Sequence, residues 1–193
     1  SDRRVSEILH PADDVLIYLL KNQLRMITLQ LTQNCNLRCD YCPYSGGYHH
    51  RGHSSRRMDF ETARKGIDFL IRHSRDSRRI AIGFYGGEPL LEFAMMRQCI
   101  GYAKEQAAGK PLSFNFTTNG TLLTEEIVAY LAEYQVAMMI SLDGSREIHD
   151  RKRKDLQGRG TFDTVIRNIG MIRRQFPAYL PKISFIVVLD PDR

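Results

Sequence analysis

Three cysteines, Cys35, Cys39 and Cys42, stand in the run Asn34-Cys35-Asn36-Leu37-Arg38-Cys39-Asp40-Tyr41-Cys42, and the whole chain has only four. Gaps of three and then two residues wrap a short loop around one centre, and clustered thiolates bind soft metals. Iron–sulfur clusters are normally held by four thiolates, so three from one loop leave one iron of a cubane without a protein ligand. An open position on a metal is where chemistry happens, whereas a closed site is structural. Structural zinc is the competing reading of a Cys-x-x-Cys piece, with His49, His50 and His53 close enough in sequence to supply a fourth ligand. Disulfides do not suit three clustered cysteines in a chain that nothing marks as secreted.

The elements that must carry such a loop are read from periodicity. Strand-length apolar or β-branched runs occupy 26–31, 80–85, 112–117, 136–142 and 183–189. Four helical stripes fall between them. The first is Phe60, Ala63, Ile67, Leu70 and Ile71, behind Asp59 as an N-cap; the second is Met96, Cys99, Ile100 and Ala103. Ile127, Val128 and Leu131 follow Thr124 and two first-turn glutamates, and Phe162, Val165, Ile166 and Ile169 follow Gly160-Thr161. This alternation means βαβ units with right-handed crossovers and a parallel sheet, closed as a barrel or open and doubly wound. In both architectures ligands bind at the carboxyl ends of the strands.

The unusual residues sit at those ends. The cysteine loop follows the first strand, Gly86-Gly87-Glu88-Pro89 the second, Thr117-Thr118-Asn119-Gly120 the third and Asp143-Gly144 the fourth. Four consecutive strands thus deliver polar or Gly-rich elements to one rim, which reads as an active-site face. Gly86 and Gly87 offer bare backbone for close approach of a ligand, and Glu88 offers charge for an ammonium. Ser141 can offer a hydroxyl to a ribose. Arg153 can hold a carboxylate in a bidentate fork, although its spacing alone reads as one more cation in a basic run.

Taken together, the cysteine spacing with its aromatic Tyr41, the Gly-Gly-Glu-Pro turn, Thr-Thr-Asn-Gly and Ser141-Leu-Asp-Gly…Ile148-His149-Asp150…Arg153 resemble the radical S-adenosylmethionine (radical SAM) superfamily. Within it they are most similar to SPASM-type peptide and protein maturases, including anaerobic sulfatase-maturating enzymes and maturases of Cys-rich or thioether-bridged peptides. The resemblance runs from about residue 29 to residue 188. It implies an α/β fold, a partial (β/α)6 TIM-like barrel present only through its fifth strand. Cys35, Cys39 and Cys42 would hold a [4Fe-4S] cluster whose open iron is chelated by SAM. Gly86, Gly87 and Glu88 would grip the SAM amino group, Ser141 and Arg153 would bind the rest of SAM, and the Tyr41 backbone would lie near the adenine. Asn119 would contact the ribose or shape the pocket.

The implied reaction is reductive cleavage of SAM to a 5′-deoxyadenosyl radical, used to modify a ribosomal peptide, for instance by thioether crosslinking. Partners would be a peptide or protein substrate and an electron donor such as a flavodoxin or ferredoxin. Alternatives are a superfamily member acting on a small molecule, and a non-catalytic metal-stapled binding module. Family barrels carry a sixth strand and such maturases a C-terminal domain with further clusters, so these residues read as the front part of a larger enzyme. Cys99, on an apolar stripe, reads as core rather than as a further ligand.

Composition sets the remaining bounds. A chain of 193 residues, 42% hydrophobic and 26% charged, is expected to form a folded core at 26–193 behind an N-terminal extension, 1–25, that carries a short helix at 13–23 packed on the core's edge. Net charge is +6, but the basic residues sit in runs at 51–57, 72–79 and 146–154 that read as solvated faces. No helix-turn-helix, zinc-finger or P-loop pattern accompanies them, so no nucleic-acid partner is expected. Without an apolar run of about 18 residues or a secretory h-region, a cytoplasmic protein with no membrane span is expected.

Overall fold

The computed structural model describes residues 13–45 and 52–189. Outside them lie His49 and His50 of the zinc reading, Arg51 at the head of one basic run, and Pro191-Asp192-Arg193. The elements are α1 (Asp13–Asn22), β1 (Met26–Thr32), α2 (Phe60–Arg72), β2 (Ile80–Gly86), α3 (Phe93–Gln106), β3 (Leu112–Thr118), α4 (Glu125–Glu133), β4 (Ala137–Ser141), α5 (Arg146–Lys152), α6 (Phe162–Gln175) and β5 (Ile183–Ile186). The expected caps form. Asp59 accepts from Thr62 N at 2.7 Å to start α2, and Thr124 accepts from Ile127 N at 3.3 Å to start α4.

All five strands join one sheet in the order β1-β2-β3-β4-β5, and every neighbouring pair is parallel. A doubly wound sheet reverses its strand order at a switch point; this one never does. Crossovers of one hand that always step the same way put their helices on one face and curl the sheet into a barrel arc. Period-2 burial follows. Leu29, Leu31, Ile82, Phe84, Phe114, Phe116, Met138 and Ile140 enter one core with Ala63, Ile67 and Leu70 of α2, Met96, Cys99 and Ile100 of α3, and Val128 and Leu131 of α4. The alternate residues form the inner wall, where Thr28, Gln30, Tyr85, Asn115, Thr117 and Ser141 supply polar groups beside the apolar Met26 and Met139. Gly83 leaves room in that wall, since a Cβ there would stand 3.1 Å from Thr28 Oγ1 and 3.2 Å from Asn115 Oδ1.

Four expectations need correction. Ile166 does not join the α6 stripe and is 41% exposed. Asn168 takes the buried face instead, with its Nδ2 donating to Gly120 O at 2.9 Å and Thr121 O at 3.3 Å, which turns the helix toward that loop. β5 ends at Ile186 rather than 189, because Val188 N–H leaves the ladder to donate to the Asp143 carboxylate at 3.0 Å. The 146–154 run is not a solvated face throughout, since Arg153 is buried. Finally, α1 does not pack its apolar residues on the core's edge. It is tied to the α2–β2 turn by Tyr18 OH donating to Asp76 (2.5 Å) and Asp76 N–H donating to Asn22 O (2.9 Å), and Val15, Leu16, Ile17 and Leu20 stay exposed. Among the described residues no helix is long and apolar enough to cross a membrane.

Candidate active site

The cysteine loop leaves β1 and is held from three sides. On the β2 side, Gly87 N–H donates to Thr32 O and Glu88 N–H to Asn34 O, both at 3.0 Å, extending the sheet's pairing past its end. The two glycines make this possible: a Cβ on Gly86 would lie 2.5 Å from Thr32 O, and one on Gly87 only 2.2 Å from Asn34 O. On the side where a Cβ would stand, the close approach is made by the chain's own backbone, and both glycines also line the pocket described below. On the β3 side, Asn36 Nδ2 donates to Thr121 Oγ1 (2.8 Å) and Asn119 Nδ2 to Asn36 Oδ1 (2.9 Å). On the α5 side, Arg38 N–H donates to Lys154 O (2.8 Å) and Asp40 N–H to Lys152 O (3.0 Å). Within the loop, the Arg38 guanidinium spans the Cys35 and Leu37 carbonyls.

Cys35, Cys39 and Cys42 are all half-buried, and Cys35 Sγ accepts from Leu37 N–H at 3.4 Å. Burial pushes the Cys39 thiol up to about 11 and raises Cys35 as well. Left to themselves these thiols stay protonated; a bound metal centre is what makes thiolates of such groups. Among the described residues no three His, Cys, Asp or Glu side chains converge on a point as one ion requires. A cluster does not ask for that, because each thiolate ligates its own iron. Cys99 is fully buried on α3, as expected of a core residue.

All ten candidate cluster and cofactor residues border one pocket of about 280 Å³: Cys35, Cys39, Cys42, Tyr41, Gly86, Gly87, Glu88, Asn119, Ser141 and Arg153. Glu88 is 1% exposed. Its carboxylate accepts from Thr118 Oγ1 (2.8 Å), Asn119 N–H (2.8 Å) and Leu90 N–H (3.1 Å). Burial pushes its pKa up to about 7 against those three donors. Asn119 Oδ1 is taken by Thr121 N–H and hydroxyl at 3.0 and 2.7 Å. Its amide donates to Asn36 and also lies 3.9 Å from Cys35 Sγ, and Asn119 lines the pocket.

Beside the lining residues Arg153 and Tyr41 stands the Asp143 carboxylate, which the sequence places at the rim without a role. It receives the Arg153 fork (Nε 2.7 Å, Nη2 3.3 Å) and the Tyr41 hydroxyl (2.6 Å). Both charged side chains are buried, at 8% and 3% exposure. Burial works to raise the Asp143 pKa, but the bonds from Arg153, Tyr41 and Val188 outweigh it and hold the carboxyl below its ordinary value. The Arg153 fork is thus filled by the chain's own Asp143. Among the described residues, Arg153 Nη1 and the Ser141 hydroxyl make no hydrogen bond and are unclaimed polar groups of the pocket lining. The Tyr41 side chain is part of this network, with the Arg153 guanidinium 5.3 Å from its ring centre.

The family model described as the radical SAM superfamily matches residues 29–192. The chain belongs to the radical SAM superfamily. An uncharacterised protein of Methanocaldococcus jannaschii is 33% identical over 143 residues, covering 74% of this chain and 46% of the relative. The serine-type anaerobic sulfatase-maturating enzyme of Bacteroides thetaiotaomicron is 30% identical over 142 residues, covering 72% of this chain and 34% of the relative. Among solved structures, native anSMEcpe with bound AdoMet superposes with a TM-score of 0.71 at 25% identity, covering 84% of this chain and 43% of that one. The chain spans less than half the length of these relatives. The sequential five-stranded sheet is the partial TIM-like barrel expected of a radical SAM core. Membership implies a [4Fe-4S] cluster and SAM as cofactors, and the half-buried thiols beside a pocket bearing unclaimed donors fit both.

Proposed function

We propose that this radical SAM domain is the catalytic core of an enzyme that modifies a peptide or protein, with a flavodoxin- or ferredoxin-type donor supplying the electron. The observation that carries this reading is the convergence of all ten candidate residues on one pocket. Bound together, a reduced [4Fe-4S] cluster and SAM supply a 5′-deoxyadenosyl radical that takes a hydrogen atom from the substrate; the protein's part is to bind, orient and exclude water. Cys35, Cys39 and Cys42 would hold the cluster, three thiolates for four irons. Glu88 would offer its charge to the SAM ammonium, and Arg153 Nη1 and the Ser141 hydroxyl would supply further polar contacts. Thr28, Gln30, Asn115 and Thr117 on the inner wall offer hydrogen-bonding groups that match peptide amides. The relatives named for maturing sulfatases support a protein substrate, and crosslinking by a thioether is one outcome such a site can serve.

The test is anaerobic reconstitution with iron and sulfide. About four irons per chain are expected, together with 5′-deoxyadenosine release that rises when a Ser- or Cys-bearing peptide is added. Cys35→Ala, Cys39→Ala and Cys42→Ala should each abolish SAM cleavage, while Cys99→Ala should keep wild-type iron. Stimulation by small molecules and never by peptides would sink the maturase reading while leaving the cofactor site intact.

A further inference from the structure

The segment Ile148-His149-Asp150 has no part in the chemistry above, yet His149 is completely buried. Its ring is bonded on both nitrogens. Nδ1 lies 3.3 Å from Asp143 N, and Nε2 lies 3.1 Å from Thr161 Oγ1, which in turn donates to Arg153 O at 3.2 Å. A backbone N–H can only donate, so Nδ1 must be bare and the ring proton must sit on Nε2. The hydrogen bonds therefore run one way, from Asp143 N–H to Nδ1, from Nε2–H to Thr161, and from the Thr161 hydroxyl to the Arg153 carbonyl. Burial, with Arg153 beside it, holds the ring's pKa below the ordinary histidine value and keeps it neutral. Phe162 packs edge-on at 5.8 Å and fixes the ring plane.

The relay closes a circuit. Asp143 and Arg153, of which Arg153 lines the pocket, are joined directly through their side chains and a second time through His149 and Thr161. The helix that carries the relay cannot stand alone. α5 has only seven residues, and His149 is its one buried side chain; so short a helix is marginal without tertiary ties. Asp150 supplies another tie, its Oδ1 accepting from Thr161 N–H (2.7 Å) and Phe162 N–H (2.8 Å) at the start of α6.

We propose that His149, acting through Thr161, is a positioning residue that holds Asp143 and Arg153 in the geometry that receives SAM. This rests on the reading that Arg153 binds SAM. The test measures SAM affinity by anaerobic titration of the reconstituted holoprotein, alongside iron content and thermal midpoint. Arg153→Ala should weaken SAM about tenfold or more. His149→Phe, which keeps a ring in the space, should weaken it by a similar factor, and isosteric Thr161→Val should follow in the same direction, both with wild-type iron content. Because His149 acts through Arg153, adding His149→Phe to Arg153→Ala should weaken SAM no further. His149→Asn, which restores an acceptor for the Asp143 N–H, should recover part of the loss. Wild-type affinity in both His149→Phe and Thr161→Val overturns the proposal, as does full additivity in the double variant. Should His149→Phe fail to fold, Thr161→Val decides alone. An Arg153→Ala variant with unchanged affinity would sink the reading of Arg153 and this proposal together, whereas an effect at Arg153 with none at the relay would sink the relay only.

Discussion

At Glu88, burial and ligand chemistry act in opposite directions on one carboxyl group. Burial pushes it up to about 7, while all three of its partners donate and suit the ionised form. Its folded pKa lies above the unfolded one, so the folded chain holds the extra proton between the two. The stabilising contribution is full below the ordinary glutamate range and is lost as pH rises through about 7. A cationic ligand reverses that preference by favouring the carboxylate. SAM affinity should therefore climb as pH approaches neutrality and level off above it. Glu88→Gln should flatten this profile and weaken SAM by roughly 1.5–3 kcal/mol, the worth of one charge-assisted contact. A Gln variant whose affinity still bends near neutral pH would assign the titration to another group. Asp143 calls for a different measurement. Removing it strands a buried guanidinium, so Asp143→Ala should cost about 3–5 kcal/mol in denaturant unfolding. A loss below about 1 kcal/mol is what a solvated surface pair gives, and it would show that the two charges are not buried together in solution.

Between elements, the Gly86-Gly87 turn is a weld between β2 and the cysteine loop. Gly87→Ala puts a methyl against the Asn34 carbonyl, a backbone group that cannot swing aside. The variant should keep its helices by circular dichroism and lose most of its iron on reconstitution; iron near wild type would show that the loop tolerates displacement. This turn also marks how far sequence alone reaches. Two glycines after a strand are legible as bare backbone, but only the fold says that one neighbour is Asn34 O. The strands and α2, α3 and α4 were legible because their apolar residues keep strict periods of 2 or 3.6. α5 was not, because Arg146–Lys152 carries no apolar stripe and folds through one buried histidine. The role of Asp143 was hidden for a related reason. Next to a glycine at a strand end it reads as turn chemistry, and its partner Arg153 comes ten residues later across a helix. Arg153 itself emerged only from the resemblance to a family.

For the molecule as a whole, β1 and β5 are the two edge strands of the sheet, and β5 is the one beside the pocket. β5 pairs with β4 on one edge, and among the described residues no strand pairs with the other. The chain there is apolar and uncovered, with Phe185 52% and Leu189 82% exposed. An unpaired apolar edge is a template for another chain, and burying it is favoured at about 25 cal/mol per Å². The 193-residue chain should therefore self-associate at micromolar concentration, seen as a concentration-dependent rise in light-scattering mass. Phe185→Lys together with Val187→Lys should restore a monomer, since charges along an edge oppose strand addition. The same edge borders the candidate site, because Ile186 and Val188 line the pocket proposed for SAM. Association through β5 should then make apparent SAM affinity fall as protein concentration rises, and the lysine pair should remove that dependence. A wild-type chain that stays monomeric across this range would mean that the edge is covered within these 193 residues. A lysine pair that restores the monomer but leaves the affinity concentration-dependent would separate the edge from the pocket.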